Sequence, residues 1–391
     1  MFESILKEVK PDNLEVKETT SKVNEFLKLI NSKLKDGKAI VGGSFAKGTW
    51  LKGNYDIDVF VVFNDGKNLS ERLEKGVKAS FKKYERIHGS RDYFLVEFKG
   101  LSFELVPVVN IKKSEDAQNI TDISLLHVKY VKANSSLKLQ DEIRIAKHFL
   151  KVNNCYGAET YIGGFSGYLT ELLVIYYGSF SSFIKKAKDW KYGNRINLEE
   201  KDNFSNSQEF PLVVIDPVHA SRNVAAALRE EKFDLFVKLC NDFVKSKFNV
   251  KYFVEKKVDL DKYDLVIKVQ PLLGNKDVVG TKMLKCFEMI SKKLSEFGVS
   301  KSGWFWNTDA YFYFNIKNKK LDKTYKHYGP PLKFEKEVEN FKKKYKKNKV
   351  SVEKGRVFVI LDREFTDAKA FVKNLIKDFY IKERVKKIEL K

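Results

Sequence analysis

The chain has 391 residues, 43% of them hydrophobic, with 74 Lys and Arg against 52 Asp and Glu and a formal net charge of +22. That length fits two or three domains, and the charge suits a polyanionic partner such as nucleic acid, although a lysine-rich solvated surface would give the same balance. Cys155, Cys240 and Cys286 are scattered and form no CxxC pair, which argues against a disulfide framework or a zinc site; with no apolar segment at the N-terminus and none longer than "LLVIYY" (Leu172–Tyr177), the expectation is a cytoplasmic protein with no membrane span.

Residues 1–34 carry Val23, Phe26, Leu27, Ile30 and Leu34 at helical spacing. "KAIVGGSF" then predicts a strand and a glycine turn, and "YDIDVFVVF" a second strand closed by "NDGKN". A helix is expected from about Ser70 to Tyr84, followed by the hairpin "DYFLVEFKGLSFELVPVV", turning at Lys99 and Gly100. From about Asp141 to Lys245 the pattern is helical. "DEIRIAKHFLKVN" predicts one helix, "FSGYLTELLVIYYGSFSSFIKKAKDW" one or two, and "ASRNVAAALREEKFDLFVKLCNDFVKSK" another that starts at a Ser/Asn cap. Between them, "NRINLEEKDNFSNSQEFPLVVIDPVH" reads as loop with the short strand "LVVID". A new unit begins near Leu260: strand "YDLVIKVQ", helix "VVGTKMLKCFEMISKKLSEFG", strands "WFWN" and "AYFYFNI", helix "EKEVENFKKKYKKN", strand "GRVFVIL" and a last helix "AKAFVKNLIKDFY". This β-α-β-β-α-β order is the ferredoxin-like pattern that RNA-recognition modules share. The fold class expected for the whole chain is α+β.

In the second strand Asp56, Asp58, Phe60 and Val62 share one face. The two aspartate Cα atoms then stand about 6.5–7 Å apart, and like charges that close call for a neutralising partner. Lysines could serve, but a hard divalent cation such as Mg²⁺ takes carboxylate oxygen together with substrate phosphates. Two such ions suit in-line displacement at phosphorus. In the preceding turn, Gly42 and Gly43 let backbone N–H groups approach an anion, and Ser44 adds a hydroxyl. A third carboxylate is expected from the hairpin. Glu104, set against Phe103 and Leu105, is preferred to Glu97, which suits a solvated position.

Four blocks, "GSFAKGTWLKGNYDIDVF", "YGAETYIGGFSGYLTELLVIYYGSF", "VVIDPVHASRNVAAAL" and "YGPP" (Tyr328–Pro331), resemble the archaeal-type (class I) tRNA CCA-adding enzymes of the polymerase β-like nucleotidyltransferase superfamily. They are spread over nearly the whole chain. The resemblance implies a nucleotidyltransferase head at 1–135, a helical neck at 136–255, and a ferredoxin-like (RRM-like) body with a shortened tail at 256–391. It implies stepwise addition of C, C and A to the 3′ end of tRNA from CTP and ATP, without a nucleic-acid template, with two Mg²⁺ ions and often as a homodimer.

By motif, Asp56, Asp58 and Glu104 match the catalytic, metal-binding carboxylates, Glu104 standing where the family usually has Asp. Gly43 and Ser44 match the phosphate contacts. Lys47 stands where Arg is common, keeping the charge without the bidentate fork. His127, in "SLLHVKY" after a divergent "TDIS", and Lys147, Tyr156 and Arg222 match contacts to the nucleotide. Each has a plainer alternative: a solvated Lys147, a structural His127, a core Tyr156. Arg222, read near a helix start, is unfavourable for the dipole and hints at an anionic partner. Lys342, Lys343, Lys344, Lys346 and Lys347 of "FKKKYKKNK" are candidates for RNA phosphates, with a solvated helix face as the alternative; of the aromatics in "WFWN" and "AYFYF", alternation buries about half. Two rival readings are a related RNA-tailing enzyme (poly(A) or terminal uridylyl transferase) and a catalytically degenerate tRNA-binding protein, the latter supported by Lys47 and Glu104.

Overall fold

A computed structural model describes residues 2–200, 202–205 and 208–391. The chain divides into two compact units, one ending at Lys256 and the other running from Lys257 to Lys391.

The first unit opens with two helices rather than one, α1 (Glu3–Val9) and α2 (Asn13–Asn31). Pro11 forces Lys10 into extended backbone, and the Asp12 carboxylate restarts the helix by accepting from the Glu15 N–H at 2.9 Å. There follow β1 (Gly37–Val41), α3 (Gly43–Lys47), β2 (Asp56–Phe63), α4 (Leu69–Ser80), β3 (Glu85–Ile87), β4 (Tyr93–Phe98) and β5 (Leu101–Val109). The strands form one sheet in the order β1-β2-β5-β4-β3, in which β2 and β5 are parallel. The β4–β5 hairpin turns at Lys99 and Gly100 as expected, both at positive φ. Alternation along β2 sends Ile57, Val59, Val61 and Phe63 against Phe26 and Ile30 of α2 and Leu73 and Val77 of α4. The Phe26 ring stacks 3.7 Å from that of Phe103 and 4.8 Å from that of Phe81. The intervening residues of β2, Asp56 and Asp58, are therefore turned away from this core.

Helices α5 (Ser124–Asn134), α6 (Leu137–Val152), α7 (Gly167–Tyr177), α8 (Phe180–Ala187) and α9 (Glu230–Lys245) complete the unit, with a small sheet of β6 (Asn194–Asn197), β7 (Leu212–Asp216) and β8 (His219–Asn223). Phe149, Phe165, Phe180, Phe183, Phe236 and Phe243 fill the helical core, and α1 joins it through Phe2, Ile5 and Val9. Two expectations need correction. The stretch read as loop around "LVVID" holds a further strand, β6, which pairs in parallel with β7. The helix expected from Ala220 begins only at Glu230, because residues 219–223 pair with β7. The Asn223 side chain fixes that hairpin: it accepts from the N–H groups of Val214 and Ala225, both at 2.9 Å, and donates to the Leu212 carbonyl at 3.1 Å.

The second unit contains β9 (Leu265–Gln270), α10 (Lys276–Leu294), β10 (Val299–Trp306), β11 (Ala310–Ile316), β12 (Thr324–Pro331), α11 (Glu335–Lys344), β13 (Ser351–Glu353), β14 (Arg356–Asp362), α12 (Ala368–Leu375), α13 (Phe379–Lys382) and β15 (Lys387–Leu390). Its main sheet has the order β10-β11-β9-β15, the ferredoxin-like arrangement. The elements that close it differ from those expected. α12 and β15 complete the fold, whereas "EKEVENFKKKYKKN" (α11) and "GRVFVIL" (β14) belong to an inserted lobe with its own sheet, β12-β14-β13, and its own small core around Val338, Phe341, Val357 and Val359. β15 is four residues long, too short for its alternation to stand out in the sequence. Among the described residues no helix is long and apolar enough to cross a membrane.

Candidate active site

The parallel register of β2 and β5 sets Asp58 directly opposite Glu104 and Asp56 opposite Ser102, on the face that α2 and α4 leave uncovered. Phe60, Val106 and Val108 continue that face as a small apolar patch, flanked by Leu125 and Tyr93. Burial, then the charges of Asp58 and Asp56, push the Glu104 carboxyl up to about 7. Burial also raises Asp58, against the pull of Lys47. Glu97, the alternative third carboxylate, lies opposite Ser102 on β4 and is exposed.

The glycine turn closes over the pair. Gly42 donates its N–H to the Asp58 carbonyl at 2.8 Å. Gly43 has φ +55, and a Cβ there would stand 1.5 Å from Asp58 Oδ2. Only glycine lets the backbone come this close to the carboxylate. Among the described residues none of the three carboxylates forms an ion pair, and hard oxygen donors so placed are the chemistry a divalent ion of the Mg²⁺ class takes. The carboxylates share a face, but among the described residues no three His, Cys, Asp or Glu side chains converge on one point.

Beside this face lies a buried charge cluster. Lys47 Nζ donates to Glu171 Oε2 at 2.8 Å, and Lys147 Nζ donates to Glu171 Oε1 at 2.7 Å. The Thr49 hydroxyl donates to Glu171 Oε1 at 2.6 Å and accepts from Lys147 Nζ at 3.0 Å. Lys147 is only 2% exposed and Glu171 1%, so the solvated reading of Lys147 is wrong: its helix turns it inward. Burial pushes the Glu171 carboxyl up, but the ammonium groups of Lys147 and Lys47 outweigh it and hold it at about 2. Tyr156 reaches the same place. A Cβ on Gly167 would meet the Tyr156 hydroxyl at 2.9 Å and Lys147 Nζ at 3.9 Å. Burial and the Glu171 charge raise that phenol's pKa and keep it neutral.

A second buried carboxylate, Asp216 at the end of β7, organises the remaining residues. Its Oδ2 accepts from Arg222 Nη1 at 2.8 Å and lies 2.9 Å from His127 Nε2; its Oδ1 accepts from the Tyr168 hydroxyl at 3.2 Å and the Val218 N–H at 3.1 Å. Burial lowers the His127 pKa despite Asp216, and the His127 and Arg222 contacts lower that of Asp216 despite its burial. A neutral imidazole beside a carboxylate donates from Nε2, which leaves Nδ1 as an acceptor. Arg222 lies on β8, not near a helix start, so the dipole argument for an anionic partner falls. Tyr168 joins the two clusters. Its ring stacks on His127 at 4.1 Å, and Lys47 Nζ sits 5.1 Å from its centroid.

Four residues of this assembly, Thr49, Tyr168, Glu171 and Asp216, escaped the sequence reading. Their signal was a polar residue within or beside an apolar motif: Thr49 in "KGTWL", Tyr168 in "SGYL", Glu171 in "TELLV" and Asp216 in "VVIDP". The lysines of "FKKKYKKNK" belong to the second unit. Lys342, Lys343 and Lys344 form the exposed last turn of α11, where cations also suit the helix C-terminus, and Lys346 and Lys347 are exposed just beyond it.

Residues 23–131 match a family model described as nucleotidyltransferase domain, 141–254 one described as tRNA nucleotidyltransferase, second domain, and 270–383 one described as CCA-adding enzyme, C-terminal domain. A CCA-adding enzyme of Nanoarchaeum equitans is 33% identical over 341 residues, covering 83% of this chain and 84% of that protein. One of Methanosarcina mazei is 31% identical over 402 residues, covering 94% and 87%. Among solved structures, a cytoplasmic RNA terminal U-transferase shares the fold, with a TM-score of 0.51 at 14% identity over 66% of this chain and 98% of that one.

Proposed function

The chain belongs to the CCA-adding enzymes, and from that premise we propose that Asp56, Asp58 and Glu104 are the carboxylates with which it adds C, C and A to the 3′ end of tRNA from CTP and ATP. The observation that carries this assignment is the register pairing of Asp58 with Glu104 under a turn where Gly43 alone fits. In each step the primer 3′-OH attacks the α-phosphate and pyrophosphate leaves. The three carboxylates would hold the divalent cation, in this reading two Mg²⁺ ions, whose charge acidifies the 3′-OH and screens the leaving group when bound. Glu104, paired with Asp58 in the register, is placed to help accept the proton from the 3′-OH.

The remaining work is positioning. The Gly43 N–H and the Ser44 hydroxyl face the triphosphate in this reading. Lys47 and Lys147 present one net positive charge to it, since Glu171 neutralises the other and fixes both ammonium groups. Tyr156 meets the sugar, His127 contacts the nucleotide and Arg222 lies near the incoming base, the last two oriented by Asp216. The proposal also assigns catalysis to a head at 1–135, nucleotide contacts to a neck at 136–255, and tRNA contacts to 256–391, including the five lysines from Lys342 to Lys347. It places the enzyme in the cytoplasm and as a homodimer, which light scattering in solution tests.

The direct experiment is a tRNA lacking its 3′ CCA, with Mg²⁺ and labelled CTP, ATP, or both. Growth by three nucleotides with both, and by two with CTP alone, is the expected result. A long tail of a single nucleotide would instead assign the chain to the RNA-tailing enzymes, and tight tRNA binding without growth to a degenerate binding protein.

A further inference from the structure

Helices α10 and α12 cover one face of the β10-β11-β9-β15 sheet, packing on Phe312 and Phe314 of β11 and on Ile267 and Val269 of β9. Alternation sends Tyr311 and Tyr313 to the opposite face, which in a sheet covered on one side is ordinarily polar. Here it carries aromatic rings beside the ion pair of Lys268, opposite Tyr311, with Asp309 at 2.7 Å. Phe305 stands opposite Tyr311 in the register and stacks on it with ring centroids 5.4 Å apart. Tyr263 closes on Tyr313 at 4.4 Å. Gly303 lies opposite Tyr313, and a Cβ there would stand 2.3 Å from the Tyr313 hydroxyl, so the glycine is what lets that phenol reach across β10. All four rings remain partly accessible and none belongs to the buried core. Two cations sit over them. Lys391 Nζ is 4.9 Å from the Tyr311 ring and Lys301 Nζ is 5.4 Å from the Tyr263 ring, and neither lysine forms an ion pair among the described residues.

We propose that this face binds unpaired RNA, with two consecutive bases stacked on the Tyr311/Phe305 and Tyr313/Tyr263 pairs and the backbone phosphates met by Lys301 and Lys391. Every base has a π-face, so aromatic rings accept single strands with little regard to sequence. The bases of a duplex are already stacked on one another and offer no free face. The lysines supply charge complementarity to phosphate, and the inference does not depend on the carboxylate assignment above.

The test uses the full chain without NTP or divalent ion and a fluorescein-labelled ten-nucleotide unpaired RNA, read by anisotropy. Tyr311→Ala and Tyr313→Ala each weaken binding about tenfold, while Tyr311→Phe and Tyr313→Phe stay within about twofold, because the ring rather than the hydroxyl stacks. Changing Lys301 and Lys391 together to Gln lowers the slope of log affinity against log salt by about 1.4. The anisotropy is read without NTP or divalent ion, where no extension takes place, so the two readings fail separately. Equal affinity for a blunt duplex of the same length, with no effect of the tyrosine variants, overturns the proposal. Where an alanine variant unfolds, photocross-linking of a 5-iodouracil oligonucleotide to the parent chain decides. Adducts on Tyr263, Lys301, Phe305, Tyr311, Tyr313 or Lys391 support the platform, and adducts found only elsewhere overturn it.

Discussion

Replacing Glu171 with Gln keeps the shape of the buried cluster and removes its carboxylate. Lys47 and Lys147 are then left almost fully buried, at 8% and 2% exposure, with an amide in place of their counter-ion. Breaking a buried pair from one side costs about 3–5 kcal/mol. A second route gives a similar figure. A carboxyl held at about 2 rather than at its ordinary 4.5 corresponds to about 3 kcal/mol of folding free energy at neutral pH. For a unit of this size that lowers the melting temperature by about 10 °C. The sign of the pH dependence follows from the depressed pKa. The contribution is present in full above about 4.5 and is lost as the pH falls towards 2. Thermal melts of parent and Glu171→Gln should therefore differ most at neutral pH and converge in acid. Melting of the variant within about 2 °C of the parent at pH 7, or a gap that widens as the pH falls, would refute the account of a charge-locked cluster.

Three further outcomes test the rest of the site. Asp58→Asn abolishes nucleotide incorporation while a gel shift with tRNA is unchanged, and Glu104→Gln lowers incorporation at least about 100-fold; full activity in either variant removes that residue from the assignment. Gly43→Ala costs about 1–2 kcal/mol of stability from its left-handed backbone, but it lowers incorporation far more than its melting shift explains, since the new methyl displaces the Asp58 carboxylate. Changing Lys342, Lys343, Lys344, Lys346 and Lys347 to Gln reduces the salt slope of tRNA binding by about 0.9 for each phosphate no longer neutralised, and an unchanged slope returns them to an ordinary solvated surface.

Where one element carried its own signal, the sequence was sufficient. The two-residue period of "YDIDVFVVF" placed Asp56 and Asp58 on one face before any partner strand was known, and the same period in "LSFELVP" singled out Glu104. Signals that exist only after distant segments meet were not legible. Glu171 in an apolar run becomes meaningful once Lys47, 124 residues earlier, and Lys147, 24 residues earlier, converge on it. Asp216 waits in the same way for His127 and Arg222. Local propensity also lost to tertiary pairing. The alanines after Arg222 favour helix, yet Asn223 and the register with β7 hold residues 219–223 as strand and leave Ala225, Ala226 and Ala227 in the turn that follows. In the second unit the long, clear pattern of α11 and β14 outweighed the short β15, though it is β15 and not β14 that pairs with β9.

The lobe inserted between β11 and α12 has its two ends held together. The Leu321 N–H donates to the Thr366 carbonyl at 2.8 Å, the Arg363 N–H to the Lys323 carbonyl at 2.7 Å, and the Ala368 N–H to the Lys319 carbonyl at 3.0 Å. The chain thus leaves the ferredoxin-like sheet and returns to it through a short antiparallel ribbon. Because those ends already meet, a tight turn could bridge residues 324–362 at a small change in loop-closure entropy. The lobe is thus a cassette: its size and surface can vary between related chains, or be exchanged by design, while the strand order of the sheet that carries it stays the same.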